Sequence, residues 1–176
     1  YSDYWADPGK QYKPAAWKGL SFSDLKKALY DYTRQVMNAL KQQGTLPDMV
    51  QVGNEINHGM VWPDGNVANM DQLAALVKAG SAAVTEVSPS SVLLLHLALG
   101  GQNEESVFFL DNMIARGVDF DVIGLCSAVG SLVLAGASSP RRPIPLVPAL
   151  WPANTQAAAF PAKSASAAAE LMQSIE

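Results

Sequence analysis

The sequence predicts an α/β fold of parallel strands with helices packed outside them, and three observations carry that reading. Aliphatic runs recur along the chain at residues 49–52, 92–97 and 120–125, without the polar alternation of a half-exposed strand. Between them lie stretches with apolar residues every three or four positions, the period of a helix face. The first run ends in Gly53-Asn54-Glu55-Ile56. A polar pair directly after a buried parallel strand sits where the loops of an α/β fold open and where its chemistry is placed.

Residues 1–20 form a polar, aromatic opening loop. Ser21-Phe22-Ser23-Asp24 is a Ser-x-x-Asp capping box, and Leu25, Leu29, Tyr32, Val36 and Leu40 follow as one apolar face, with Gly44 as the predicted stop. Residues 49–52 are the first strand. Trp62-Pro63-Asp64-Gly65 and Gly65-Asn66 mark turns. Asn69, with Gln72 three positions on, begins a second helix whose face is Leu73, Val77, Gly80, Val84 and Val87, and Ser88-Pro89 ends it. Residues 92–97 are the second strand. Residues 104–116 are a third helix carrying Phe108, Phe109, Met113 and Ile114 and stopping at Gly117; residues 120–125 are the third strand.

Right-handed crossovers of this kind build either an open doubly wound sheet or a closed (β/α)8 barrel, and periodicity alone does not choose between them. No internal repeat is present. Beyond Cys126 the character changes. Residues 127–142 are rich in Ser, Ala, Leu and Gly without a helical stripe, residues 144–147 read as a short strand bracketed by Pro143, Pro145 and Pro148, and the Ala-rich residues 163–176 read as a helix.

The length of 176 residues suits one domain, or a piece of a larger one. An apolar content of 49% and a net charge of −4 exclude a disordered or strongly basic chain. No Lys/Arg cluster offers a nucleic-acid footprint, and Arg141-Arg142 is an isolated pair. The longest apolar stretches, 92–99 and 124–136, fall short of the roughly 20 residues of a membrane span. Neither nucleic acid nor membrane is therefore an expected partner. The single cysteine, Cys126, excludes an internal disulfide and any multi-cysteine metal site. The chain opens on Tyr1 in mid-pattern and reads as cut from something longer, so the lack of a visible signal peptide carries little weight.

Glu55 is the first candidate catalytic group. A carboxylate held at a strand's C-terminal end can donate a proton to a leaving oxygen, which glycosidic hydrolysis requires. By spacing alone it reads more readily as a carboxylate that caps a loop or pairs with a lysine. His96, within an apolar strand, reads by itself as a core histidine, and His58 as a loop-surface one. Neither stands at metal-ligand spacing, so no metal is expected, and no cofactor motif is present. Gly100-Gly101 lacks the Gly-Lys-Ser/Thr of a phosphate loop and reads as a turn. Cys126 shows no activating neighbour and reads as an inert thiol. Trp5 and Trp62 lie in loops, where indole faces suit sugar CH surfaces; Trp17 reads as a packing residue.

Together, these residues point to a family. Tyr1-Ser2-Asp3-x-Trp5-Ala6-Asp7-Pro8-Gly9 followed by Lys13-Pro14-Ala15-Ala16-Trp17 resembles the loop after the third barrel strand of the family 53 glycoside hydrolases, the arabinogalactan endo-β-1,4-galactanases. Val52-Gly53-Asn54-Glu55-Ile56-Asn57-His58-Gly59 with Trp62-Pro63-Asp64-Gly65 is similar to the family's acid/base segment at its fourth strand. Leu95-His96-Leu97 resembles the fifth strand end, and Asp119-Phe120-Asp121-Val122-Ile123-Gly124-Leu125 the sixth. The resemblance implies a partial (β/α)8 TIM barrel of parallel strands with outer helices, missing the first strands and the last. It implies a secreted enzyme that hydrolyses internal β-1,4-galactosidic bonds of plant-wall arabinogalactan through two glutamates, with retention. Glu55 matches the family's acid/base, Asn54 its sugar-contacting asparagine, and Asp3, Trp5, Trp62 and His96 its cleft-lining residues.

The match divides the chain into a well-matched part, residues 1–125, and a divergent, shortened part, residues 126–176. The family carries a Ser-Tyr-Tyr-Pro-like run after its sixth strand, where this chain has Cys126-Ser127-Ala128-Val129. Its nucleophile lies in a Val-Glu-Thr segment; the best match here, Val147-Pro148-Ala149-Leu150-Trp151-Pro152, puts Pro148 in the glutamate's place. Residues 126–160 contain no Asp or Glu, so impaired or absent turnover is expected. The alternatives are a non-catalytic carbohydrate-binding remnant, or an incomplete gene product in which residues 126–142 are frame-shifted or mis-spliced. A barrel lacking strands exposes unpaired edges, which favours association or poor solubility.

Overall fold

The computed structural model of the chain describes residues 1–4, 7–100 and 102–127, together with the backbone of two further strands. Trp5, Pro148, the expected strand at 144–147 and the expected helix at 163–176 lie outside the described residues.

Helix α1 spans Phe22–Gln42. Ser21 caps it as the motif predicts: its Oγ accepts from the Asp24 amide at 3.2 Å and donates to the Asp24 carboxylate at 2.6 Å. Replacing Ser21 by alanine is expected to lower stability by about 1 kcal/mol in urea denaturation, the usual cost of a lost N-cap. The inner face differs from the predicted stripe. Leu25, Leu29, Thr33 and Met37 are buried, while Tyr32 and Val36 are exposed. A polar residue is tolerated on this face because Thr33 Oγ1 donates to the Leu29 carbonyl at 2.8 Å and also meets the Tyr1 hydroxyl at 2.8 Å. Tyr32 instead packs edge-on against Tyr1 and Trp17, tying the opening loop to the helix.

Three parallel strands follow: β1 (Met49–Gln51), β2 (Val92–Gly100) and β3 (Val122–Ser127). Val50 pairs with Leu93, His96 with Gly124 and Leu97 with Leu125. Helix α2 (Met70–Val87) connects β1 to β2, capped by Asn69, whose side chain accepts from the Gln72 amide. Helix α3 (Asn103–Ala115) connects β2 to β3. One apolar cluster joins Leu25 and Leu29 of α1, Leu73 and Val77 of α2, and Phe109 and Met113 of α3 to Leu93, Leu95, Leu97, Ile123 and Leu125 of the strands. Successive strand side chains point to opposite faces. The helices therefore share one face of the sheet, and Leu94, His96, Gly124 and Cys126 lie on the other. That is the layering of a barrel wall rather than of a sheet covered by helices on both sides.

The sheet continues with β4 (Leu132–Ala137) and β5 (Ala158–Phe160), in the order β1-β2-β3-β4-β5. Strand β4 runs antiparallel to β3, a departure from the all-parallel expectation. A parallel neighbour needs a crossover of a dozen or more residues, and only four separate Ser127 from Leu132. Strand β1 is one of the two edge strands of the described sheet, and a groove of about 480 Å³ beside it is lined by Val50, Gln51, Asn54, Val36 and Met37.

Candidate active site

The site is built where β1 stops. Val52 is buried, and Gly53 then turns the chain at φ 85°, where an added Cβ would stand 2.5 Å from Ile56 Cγ2. Glu55 follows in the left-handed region, at φ 50° and ψ 54°. Such a backbone costs a non-glycine residue on the order of 1–3 kcal/mol, and it persists only where the surroundings hold it. Here the 3₁₀ turn Ile56–His58 holds it, with the Ile56 side chain fully buried in the core. Residues kept in such conformations concentrate at functional positions.

The neighbouring strand ends converge on this turn. Asn54 Oδ1 accepts from Gln51 Nε2 at 3.0 Å and lies 3.2 Å from His96 Nδ1; the Asn54 carbonyl accepts from Gln11 Nε2 at 2.7 Å. An amide oxygen only accepts, so the contact places the imidazole proton on Nδ1 and leaves the Nε2 lone pair free to accept. Nε2 stands 3.4 Å from Cys126 Sγ. One ligand atom each from Glu55, His96 and Cys126 lies within 4.8 Å of the other two. Burial pushes the His96 pKa down, against the opposing pull of Glu55. Burial pushes the Cys126 thiol up, and the Glu55 carboxylate adds to that shift. At neutral pH the His96 imidazole is therefore neutral and the Cys126 thiol protonated, side by side next to Glu55.

The candidate residues are placed unequally. Asn54, Glu55 and His96 come together. Trp62 stands on the same rim, linked through Gln11: its amide donates to the Gln11 carbonyl at 2.7 Å, while the Gln11 side chain reaches Asn54. The Trp62 indole donates to the His58 carbonyl at 3.0 Å and meets Tyr12 edge-on at 5.3 Å, remaining half-buried. Asp3 is exposed and accepts from the Ala15 amide at 2.7 Å, closing the opening loop. His58 is exposed. Asp7 and Asp64 are engaged too, by the Gly9 amide with Lys10 and by Lys13 at 2.6 Å.

Several site residues escape sequence reasoning. Gln11 and Gln51 orient Asn54, and Asn57 Oδ1 accepts from the Ala98 amide at 3.1 Å, fastening the turn to β2. Cys126, read as an inert thiol, faces His96. The expectation that neither histidine falls in a cluster of metal-ligating residue types is corrected for His96, which lies with Glu55 and Cys126 in a group whose potential ligand atoms are all within 4.8 Å of one another. Spacing gives no signal of it, because the three side chains come from the turn after β1, from the middle of β2 and from β3. Only the every-second-residue pleat of β2 and β3 could have hinted that His96 and Cys126 share a face.

With this geometry described, comparison with known proteins is informative. The sequence model of glycosyl hydrolase family 53 matches residues 1–127. An "uncharacterized protein in bgaB 5′region" of Niallia circulans is 47% identical over 133 residues, covering 71% of this chain and 36% of that protein. The arabinogalactan endo-beta-1,4-galactanase A of Aspergillus niger is 33% identical over 130 residues, covering 70% of this chain and 37% of that protein. Among solved structures, the GH53 catalytic domain of Ignisphaera aggregans is similar with a TM-score of 0.68 at 46% identity, over 71% of this chain and 34% of that one. The chain thus spans well under half the length of these relatives. The three parallel strands, their one-sided helices and the Asn54–Glu55 strand end agree with that likeness. The chain belongs to glycosyl hydrolase family 53.

Proposed function

We propose that this chain carries the acid/base half of an endo-β-1,4-galactanase site and turns galactan over very slowly or not at all. The observation that carries the reading is Glu55, held in a strained conformation at the C-terminal rim of a parallel strand and flanked by Asn54 and His96. In the inherited reaction Glu55 protonates the glycosidic oxygen as the bond breaks, then takes a proton from the water that releases the glycosyl intermediate. Asn54, oriented by Gln51 and His96, binds the sugar at the reacting position, and Trp62 offers ring surface on the same rim. The natural substrate is arabinogalactan of the plant wall, met outside the cell.

Retention needs a second carboxylate about 5–5.5 Å from the first, to attack the sugar and carry it covalently. The three aspartates of the described loops nearest in sequence to the site residues, Asp3, Asp7 and Asp64, each hold a structural partner. The best sequence match to the family's nucleophile segment puts Pro148, which has no attacking group, in the glutamate's place. Losing a nucleophile removes the two-step route, at a cost of roughly 10³-fold or more in rate. The second reading, carbohydrate binding without turnover, is favoured by the same aspartates.

One experiment separates these readings. The purified chain is incubated with β-1,4-galactan, with reducing ends measured in parallel with calorimetry and tryptophan fluorescence. Binding heat is expected, with reducing-end release close to the blank. Rapid release that is abolished in Glu55→Gln would overturn the impairment. Absence of both heat and fluorescence change would remove the galactan site itself.

A further inference from the structure

We propose that Glu55, His96 and Cys126 form a three-ligand site for a borderline divalent cation of the zinc type. One ligand atom from each side chain lies within 4.8 Å of the others, and the three chemistries are the carboxylate, imidazole and thiolate that zinc prefers. With Zn–S of about 2.3 Å and Zn–N of about 2.0–2.1 Å, tetrahedral ligation sets a sulfur–nitrogen separation of about 3.6 Å. The observed separation of Cys126 Sγ from His96 Nε2 is 3.4 Å. The outer shell is present as well. Asn54 Oδ1 accepts from Nδ1 at 3.2 Å, fixing the tautomer whose Nε2 lone pair points at the thiol, and Gln51 in turn holds Asn54.

A rival reading uses the same atoms. Cys126, His96 and Asn54 stand in the order of a thiol nucleophile, its base and the base's orienting amide. Glu55 decides between the two. A carboxylate beside the sulfur opposes an isolated thiolate, whereas it joins a thiolate in neutralising a dication. On binding, the Cys126 S–H bond breaks, its proton leaves to solvent, and a metal–sulfur bond forms with no change of oxidation state. Three protein ligands leave a fourth position for water. Ligation keeps the Glu55 carboxylate ionised, so metal binding competes with its use as a proton donor. The site does not depend on galactan turnover and is detected without it.

The test uses the whole 176-residue chain, free of any affinity tag, titrated with Co²⁺. A thiolate-to-cobalt charge-transfer band in the near ultraviolet is expected, saturating at one equivalent, together with visible bands of tetrahedral intensity; Zn²⁺ should bleach both. Cys126→Ser should lose the charge-transfer band while keeping the far-ultraviolet circular dichroism of the parent. Asn54→Ala, which spares all three ligands, should weaken binding by about 10–100-fold, the usual effect of removing an outer-shell partner. Cobalt binding without the thiolate band, or a Co²⁺ affinity in Asn54→Ala equal to the parent's, would overturn the proposal. So would alkylation of Cys126 by iodoacetamide faster than that of free cysteine, with no metal band, which is the signature of the nucleophile arrangement.

Discussion

Gly59→Ala is expected to abolish the native fold of the loop behind Glu55, with a stability loss above about 3 kcal/mol in urea denaturation. Gly59 has φ 94° and ψ −173°, a region open essentially to glycine alone. An alanine Cβ there would lie 2.0 Å from the Gly65 carbonyl oxygen and 2.9 Å from both Asn66 Cα and the Val67 nitrogen. All three obstacles are backbone, so no rotamer change relieves the clash. The loop cannot simply widen, because Met60 N donates to the Gly65 carbonyl at 2.9 Å and Val67 N to the His58 carbonyl at 3.2 Å. Opening it to admit a methyl group breaks those bonds and releases the turn that holds Glu55 at positive φ. A Gly59→Ala chain that unfolds within about 1 kcal/mol of the parent would show that the loop is softer than its bonding implies.

The elements were legible from the sequence wherever local chemistry decides them. Ser21 and Asn69 mark the two helix starts because a short polar side chain there accepts an amide that no helix carbonyl can reach. The three parallel strands follow from mainly apolar runs, each interrupted by a single polar residue (Gln51, His96 or Asp121), without the regular polar alternation of a half-exposed strand. What was not legible depends on contacts between distant segments. The inner face of α1 takes Thr33 and rejects Tyr32 because the Tyr1 hydroxyl arrives from the opening loop. No periodicity contains that information. The antiparallel β4 likewise follows from a connection too short to cross over, in a stretch whose composition has no helical or strand period.

The site divides in the same way. Glu55 and Asn54 are readable because they sit at a strand end, and motif order around them identifies their lineage. Cys126 and Gln11 are not. Each acts through a partner 30 or more residues away, His96 for the one and Asn54 for the other. Their roles come from the register of β3 against β2 and from the path of the opening loop over β1. A sequence pattern records neither, whereas the pleat and the hydrogen bonds record both.

Phe109→Ala is expected to cost about 3–5 kcal/mol, while Phe108→Ala stays within about 0.5 kcal/mol, both read from the midpoint of urea denaturation. The two rings are adjacent on α3, and composition treats them as one apolar face. The structure separates them: Phe109 is 1% exposed and Phe108 is 57% exposed. Truncating Phe109 opens a cavity in the apolar cluster it shares with the other two helices and the strands, and close-packed neighbours relax only partly into such a space. Helix α3 also touches the 3₁₀ turn that follows Glu55, so the cavity loosens the support of the strained residue as well as the core. Against a total stability of about 5–15 kcal/mol for a domain, the expected loss is a large fraction of what keeps this chain folded. Equal effects of the two substitutions would mean that α3 is rotated about its axis, which would shift the floor of the Glu55 turn with it.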